Sequence, residues 1–209
     1  MPAVFIRLTG CNVRCSFCDT KYAFEEGVSF TLDELVSKVK SLTKDSNTSL
    51  IVITGGEPLL QQDKIIQLIC ELSSDFHFAI ETNGTLSKPT WWKRVIWDVD
   101  CKCPSSEVSR FDDSWKTVGE KNRIKFVVSD ERDLPFVVSV LPTLKGPLCP
   151  TILVSPAICG DVVPSNVLTL VAAQAQQKWL QRVWEFCVQN DLRFSLQNHK
   201  VVFGNRKGV

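Results

Sequence analysis

Residues 11–19 read CNVRCSFCD and contain three cysteines, Cys11, Cys15 and Cys18. Three residues separate the first pair and two residues separate the second pair. This spacing is too tight for three independent positions in a hydrophobic core, whereas one loop can turn all three thiolates toward a shared centre. Thiolates are soft donors that suit iron–sulfur clusters and zinc. The stretch therefore predicts a metal centre.

The number of available ligands favours an iron–sulfur cluster. A structural zinc site normally has four protein ligands, and the two histidines, His77 and His199, lie far away in the chain. A four-iron cluster held by three cysteines leaves one iron open to an outside ligand, which suits catalysis better than electron transfer. A zinc-stabilised binding module without catalysis and a set of unligated buried thiols remain as alternatives.

The composition is that of an ordinary globular protein. The chain of 209 residues suits one domain, 1–209, and has 44% hydrophobic and 22% charged residues. A net charge of +1 gives no overall basic field for nucleic acid. Because no long apolar run and no export signal are present, we expect no membrane span and a cytoplasmic location. Cys101 and Cys103 form a close pair, but two thiols make only half of a metal site.

Apolar runs alternate with helical patterns along the chain, which predicts an α/β protein. Strands are expected at 4–8, 50–54, 76–81, 95–100, 123–128 and 151–155, and one more in the tail 193–209. Helices are expected at 31–42, where Thr31 and Glu34 form a capping box, at 64–72, and from Ser165 as N-cap to about Asn190. Pro135 is expected to break a short helix within 130–140. The order predicts a curved, mainly parallel sheet in a partial (β/α)6-type barrel.

Polar residues recur where the predicted strands end. In a parallel sheet those ends gather on one face, the usual place for an α/β active site. The glycines Gly55 and Gly56 would let the backbone approach a ligand closely. Arg7 alternates with Ile6 and Leu8 on the first strand, so it points either toward this site or toward solvent.

The cysteine motif, with Phe17 before the last cysteine, resembles the radical S-adenosylmethionine (SAM) superfamily. The resemblance implies a partial radical SAM barrel with a [4Fe–4S] cluster on Cys11, Cys15 and Cys18. Its open iron would bind SAM, and reduction would cleave SAM to methionine and a 5′-deoxyadenosyl radical. A glycyl-radical-enzyme activase shares this spacing and chemistry and is the nearest enzymatic alternative.

Further blocks narrow the resemblance to one family. PAVFIRLTGCNVRCSFCDT, TGGEP, ETNGT, DCKCPSS and QNHK occur in order and cover nearly the whole chain. Together they resemble the 7-carboxy-7-deazaguanine synthases of queuosine and deazapurine biosynthesis. That resemblance implies contraction of 6-carboxy-5,6,7,8-tetrahydropterin to 7-carboxy-7-deazaguanine with loss of ammonia, while SAM is recycled. The CDT block, Arg7 and the NHK segment argue against the activase.

The same resemblance implies residue roles and partners. Arg7 would pair with the substrate carboxylate, Thr54 would contact the pterin, and His199 would lie near the substrate. Thr20 would be a ligand of Mg²⁺. The SAM contacts implied are Phe17, Asp19, Gly55, Gly56, Glu57, Glu81, Asn83, Asp100, Lys102, Ser155 and Pro156. A reductase such as flavodoxin or ferredoxin and a homodimer are expected.

One segment of the family pattern has no counterpart before Met1. Family members usually begin with a further strand and a Gln-Gly-Glu-Gly segment that helps to enclose the pterin. We expect this difference to affect substrate affinity more than cluster binding.

Overall fold

Seven parallel strands form one sheet in the same order as they occur in the chain. The computed structural model describes residues 2–108, 110–144, 149–158 and 167–203. The strands are β1 (Val4–Leu8), β2 (Leu50–Gly55), β3 (His77–Thr82), β4 (Ile96–Asp100), β5 (Arg123–Val128), β6 (Thr151–Pro156) and β7 (Arg193–Phe194). Since β1 and β7 lie at opposite ends of this order, the sheet is open. The predicted α/β fold with a partial barrel is confirmed.

Five α-helices accompany the strands in the described part of the chain. They are α1 (Leu32–Thr43), α2 (Gln62–Leu72), α3 (Asp133–Leu144), α4 (Val167–Gln189) and α5 (Asn198–Phe203). The predicted capping box starts α1: the Thr31 hydroxyl accepts from the Glu34 N–H, and the Glu34 carboxylate accepts from the Thr31 N–H. The N-cap predicted at Ser165 lies outside the described residues. None of the described helices is long and apolar enough to cross a membrane.

Two crossovers, β3 to β4 and β4 to β5, contain short 3-10 turns instead of an α-helix. Tryptophan rings cover the sheet there. Trp97 on β4 lies 5.5 Å from Trp91 and 5.0 Å from Trp115, measured between ring centroids. The Trp115 indole N–H donates to the Leu86 carbonyl at 2.7 Å, so its polar atom is satisfied although the side chain is fully buried.

The helix expected to break at Pro135 is continuous, so that prediction was wrong. Helix α3 begins at Asp133, which places Pro135 in the first turn, where a backbone N–H has no partner within the helix. The proline inside the helix is Pro142. The tail differs as well, because β7 has only two residues and α5 follows it.

The alternation of each strand separates an apolar face from a polar one. Ile53 and Ile80 are fully buried in the core. Their neighbours Thr54 and Glu81 line a pocket on the other face of the sheet. Cys101 and Cys103 belong to the core, where burial raises the pKa of Cys101 to about 12. The close thiol pair is therefore part of the scaffold.

Candidate active site

The carboxyl ends of the strands surround a pocket of about 540 Å³. It gathers most of the predicted site residues, from Arg7 on β1 to Ser155 on β6. The predicted residues that line it are Arg7, Cys11, Cys15, Phe17, Cys18, Asp19, Thr20, Thr54, Gly55, Gly56, Glu81, Asn83, Asp100, Lys102 and Ser155. Glu57 and Pro156 do not line it, and the side chain of His199 lies outside the described part.

The loop that carries the three cysteines is fixed by contacts with other segments. Ser16 donates its hydroxyl to the Ser105 carbonyl at 2.7 Å and its N–H to the Ser106 carbonyl at 3.2 Å. The Arg14 guanidinium donates to the Cys11 carbonyl at 2.7 Å. All three thiols are half-buried and face the same pocket. The loop is therefore held in place by the chain itself.

The two glycines after β2 bring this loop close to the strand ends. The Gly56 N–H donates to the Leu8 carbonyl at 3.0 Å, and the Glu57 N–H donates to the Gly10 carbonyl at 2.7 Å. A side chain at Gly56 would overlap the Gly10 carbonyl oxygen, and Gly55 has φ of +139°. Glycine is needed at both positions because the backbone of Leu8 and Gly10 approaches so closely. The two glycines thus allow a close approach between two backbone segments of the chain itself.

Glu57 is buried in the scaffold and does not line the pocket, and the SAM contact predicted for it stays a prediction. It is fully buried. Its carboxylate accepts from the Leu59 N–H, the Thr82 hydroxyl and the Asn83 N–H at 2.7–2.9 Å. Burial raises the pKa of Glu57, and these hydrogen bonds oppose the rise. Glu57 joins the ends of β2 and β3.

Pro156 is a second predicted residue that does not line the pocket, and its predicted SAM contact also stays a prediction. Ser155 and Ala157 line the pocket, and the buried Pro156 between them does not. Alternation along β6 turns it away from the cavity. His199 lies in α5, whose residues Asn198 and Lys200 line the pocket. The role predicted for His199 stays a prediction.

A charged group forms one wall of the pocket. Asp100 accepts from Lys102 at 2.8 Å and from Lys125 at 3.2 Å. Burial alone would raise the pKa of Asp100, but the two ammonium groups outweigh it and lower the pKa. Burial would lower the pKa of Lys125, but Asp100, Asp98 and Glu81 outweigh it and raise the pKa. The lysines therefore stay charged beside the cysteine loop.

Sequence reasoning missed Asp98 and Lys125, which also line the pocket. The motifs at the strand ends do not include these two residues, since both lie within strands. The alternation of side chains along a strand is the signal that identifies them. Asp98 and Asp100 share one face of β4, and Lys125 pairs with Asp100 in the register of β4 and β5.

The segment after β7 closes the opposite side of the pocket. The Gln197 amide donates to Asp19 at 3.4 Å, and the Thr20 hydroxyl donates to the other oxygen of Asp19 at 2.7 Å. Thr20 offers one hard oxygen to the pocket. A magnesium ion there would need further oxygen ligands from water or substrate.

The donor set fits a cluster held by three thiolates. Burial raises the pKa of Cys15, and Lys102 opposes the rise. Among the described residues, no three Cys, His, Asp or Glu side chains are grouped closely enough to hold a single metal ion. The three soft donors instead line a cavity that has room beside them for a larger group.

The fold and the sequence define the class of this protein. Residues 5–96 match the Radical SAM superfamily. The structure of QueE from Escherichia coli superposes with a TM-score of 0.66 at 23% identity, covering 94% of this chain and 85% of that chain. Streptococcus suis SuiB bound to precursor peptide SuiA gives a TM-score of 0.62 at 16% identity, covering 95% of this chain and 50% of that chain. The chain is a radical SAM enzyme.

Full-length relatives narrow the class to a family. The 7-carboxy-7-deazaguanine synthase of Clostridium acetobutylicum is 33% identical over 99% of this chain and 90% of the relative. That of Koribacter versatilis is 32% identical over 100% of this chain and 92% of the relative. The chain belongs to the 7-carboxy-7-deazaguanine synthase family. Membership implies SAM, a [4Fe–4S] cluster and a role in queuosine biosynthesis.

Proposed function

We propose that this enzyme converts 6-carboxy-5,6,7,8-tetrahydropterin to 7-carboxy-7-deazaguanine with loss of ammonia. The observation that carries the proposal is the position of Arg7. Its guanidinium lines the same pocket as the three cysteines and, among the described residues, forms no ion pair. The guanidinium lies 6.0 Å from the centroid of the Tyr22 ring, and a substrate carboxylate could pair with it through charge-assisted hydrogen bonds.

Cys11, Cys15 and Cys18 would hold the cluster. When bound, the cluster and SAM supply an adenosyl radical that takes a hydrogen atom from the substrate. Phe17, Gly55 and Gly56 would form the wall against SAM. The remaining residues would orient the substrate and exclude water from the radical.

The polar face of the sheet supports binding of a pterin. Thr54 donates its hydroxyl to one carboxylate oxygen of Glu81 at 2.8 Å, and Glu81 lines the pocket, so its second oxygen would be an acceptor for a bound molecule. Pterins carry N–H groups that such an oxygen can bind. Thr20 would add one ligand to Mg²⁺, with the substrate carboxylate and water completing the shell.

We extend the proposal to the setting of the enzyme. None of the eight described cysteines forms a disulfide, which supports a reducing cytoplasm. A small redox protein such as flavodoxin or ferredoxin would deliver the electron. The enzyme is also proposed to form a homodimer. The exposed Trp184 and Val188 of α4 are available for the contact between the two subunits.

The direct test is an anoxic reaction of the reduced enzyme with SAM, Mg²⁺ and the carboxypterin. We expect 7-carboxy-7-deazaguanine, detected by mass spectrometry, and iron and sulfide in the protein. An intact cluster without product would reject the proposal and favour an activase. Zinc in place of iron would favour a binding module.

Arg7→Ala provides the residue-level test of the same proposal. Because a charge-assisted hydrogen bond contributes about 1.5–3 kcal/mol, we expect kcat/KM for the pterin to fall roughly 10- to 150-fold. Cluster content should be unchanged. Arg132→Ala is the control, since Arg132 pairs with Asp130 at the surface. Equal kcat/KM for the two variants would show that Arg7 does not bind the substrate.

A further inference from the structure

A closed ring of hydrogen bonds lies beneath the first cysteine of the motif. The Asn83 side-chain amide donates to the Asn12 side-chain oxygen at 2.8 Å, and the Asn12 side-chain amide donates to the Thr85 hydroxyl at 2.8 Å. The Thr85 hydroxyl donates back to the Asn83 oxygen at 2.7 Å. Asn83 and Thr85 are buried, so the ring is shielded from water on the side of the sheet.

The backbone fixes which way the Asn83 amide points. The Thr85 N–H, which can only donate, lies 3.0 Å from the Asn83 side-chain oxygen. Oxygen must therefore face Thr85, and nitrogen must face the cysteine loop. The orientation follows from the network and does not depend on telling oxygen from nitrogen by shape.

One N–H of this amide remains after the ring is complete. The first N–H is used by Asn12, and the second is directed at Cys11, with the nitrogen 3.9 Å from the sulfur. This distance lies at the long end of the range for a hydrogen bond to sulfur, which is longer than one to oxygen. A donor at a ligating thiolate stabilises negative charge on that sulfur, and such bonds set the potential of iron–sulfur clusters.

We infer that Asn83 is a positioning residue that donates a hydrogen bond to the Cys11 thiolate and raises the reduction potential of the cluster. The inference rests on the proposed ligation of the cluster by Cys11. Reduction adds one negative charge to the cluster, and the buried N–H stabilises the reduced state more than the oxidised state. This role is separate from the SAM contact predicted for Asn83, because it acts before any SAM is bound.

Two substitutions remove the donor without removing the turn. Asn83→Ser keeps an oxygen for the Thr85 N–H but is too short to reach Cys11. Asn83→Asp keeps the shape and places a negatively charged oxygen near the sulfur. Asn12→Ala is the control, because it removes a ring member while the Thr85 N–H still holds the Asn83 amide toward Cys11.

The experiment uses the full chain loaded with cluster and free of SAM. Iron and sulfide analysis gives the cluster content, and electron paramagnetic resonance gives the reduced fraction at a fixed potential. At the wild-type midpoint we expect the ratio of reduced to oxidised cluster in Asn83→Asp to fall about tenfold, which is about 59 mV for one electron. The ratio of reduced to oxidised cluster in Asn83→Ser should also fall, but by less. The ratio in Asn12→Ala should match that of the wild type.

Wild-type ratios in both Asn83 variants, with full cluster content, would overturn the inference. A fall in Asn12→Ala as large as that in Asn83→Ser would also overturn it, since the effect would then belong to the ring and not to the donor. A wild-type protein that takes up no iron would instead refute the cluster ligation assumed in the proposed function. The two failures are thus distinguishable.

Discussion

Asp98 is a buried carboxylate whose charge is poorly compensated. Its side chain faces the pocket, yet one oxygen is fully buried and has no hydrogen-bond partner among the described residues. The other oxygen lies 3.1 Å from Arg123, but the Arg123 N–H is not aligned as a hydrogen bond. Burial raises the pKa of Asp98; Lys125 and Arg123 oppose the rise, whereas Asp100 and Glu81 add to it. A proton on Asp98 is therefore favoured by folding.

The raised pKa predicts how stability changes with pH. Between the ordinary aspartate pKa of about 4 and the raised value, the native state holds a proton that the unfolded state has lost. The contribution of Asp98 to the free energy of unfolding must therefore fall as pH rises through this window, by at most about 1.4 kcal/mol per pH unit. Asp98→Asn should lack this fall when both proteins are unfolded with urea across the window.

Asp112→Asn is the control with the opposite sign. Hydrogen bonds from Ser114 lower the pKa of Asp112, so its contribution is present above the ordinary aspartate pKa and is lost as pH falls. Parallel pH profiles for the wild type and Asp98→Asn would contradict the prediction.

Single residues also show where sequence reasoning stopped. Arg7, Thr54 and Glu81 were found because they adjoin a motif or a strand end, and the fold brings them to one pocket. The motif around Glu57 predicts a contact with SAM, whereas the burial of its carboxylate among scaffold hydrogen bonds could not be read from the motif. Pattern identifies a segment, and only packing decides which way each side chain in that segment turns.

Helix α3 shows the same limit for a whole element. Its apolar pattern predicts a break at Pro135. A proline is tolerated only in the first turn of a helix, so the prediction depends on where the helix begins. Asp133 begins α3 and accepts from the N–H groups of Ser105 and Ser129 at 2.9 and 2.7 Å. These partners are distant or outside the helix, so the true start was not visible in the local sequence.

The two exposed prolines of α3 give a matched prediction. Pro142 lacks the N–H that would bond one turn back, so Pro142→Ala should raise the free energy of unfolding by ~1–2 kcal/mol. Pro135→Ala should lower it by ~0.4–1 kcal/mol, because Pro135 fits the first turn and restricts the unfolded chain. Urea denaturation measures both variants. Effects of the same sign would show that position in the helix does not govern them.

At the scale of the molecule, the open sheet depends on its last segment to cover the pocket. Gln197 reaches across the gap between the two ends of the sheet. Its amide nitrogen donates to Asp19 after β1, and its oxygen accepts from the Ile158 N–H after β6, both at 3.4 Å. One side chain thus links the cysteine loop to the far end of the sheet.

Loss of the two Gln197 hydrogen bonds should increase the local motion of residues 195–198, which cover the pocket. In Gln197→Ala we expect amide hydrogen exchange at Ile158 and residues 195–198 to rise about two- to tenfold, the factor for one hydrogen bond of ~0.5–1.5 kcal/mol. Gln181→Ala is the control, since Gln181 bonds Glu185 on the surface of α4. Unchanged exchange at Ile158 would mean that the backbone alone holds the cover.

Because the strands stand in the sheet in chain order, each one can join its neighbour as it leaves the ribosome. The cysteine loop is then made before the segment around Gln197. Until that segment has folded against Asp19 and Ile158, this side of the cavity is uncovered, and inorganic iron and sulfide have a wider path inward.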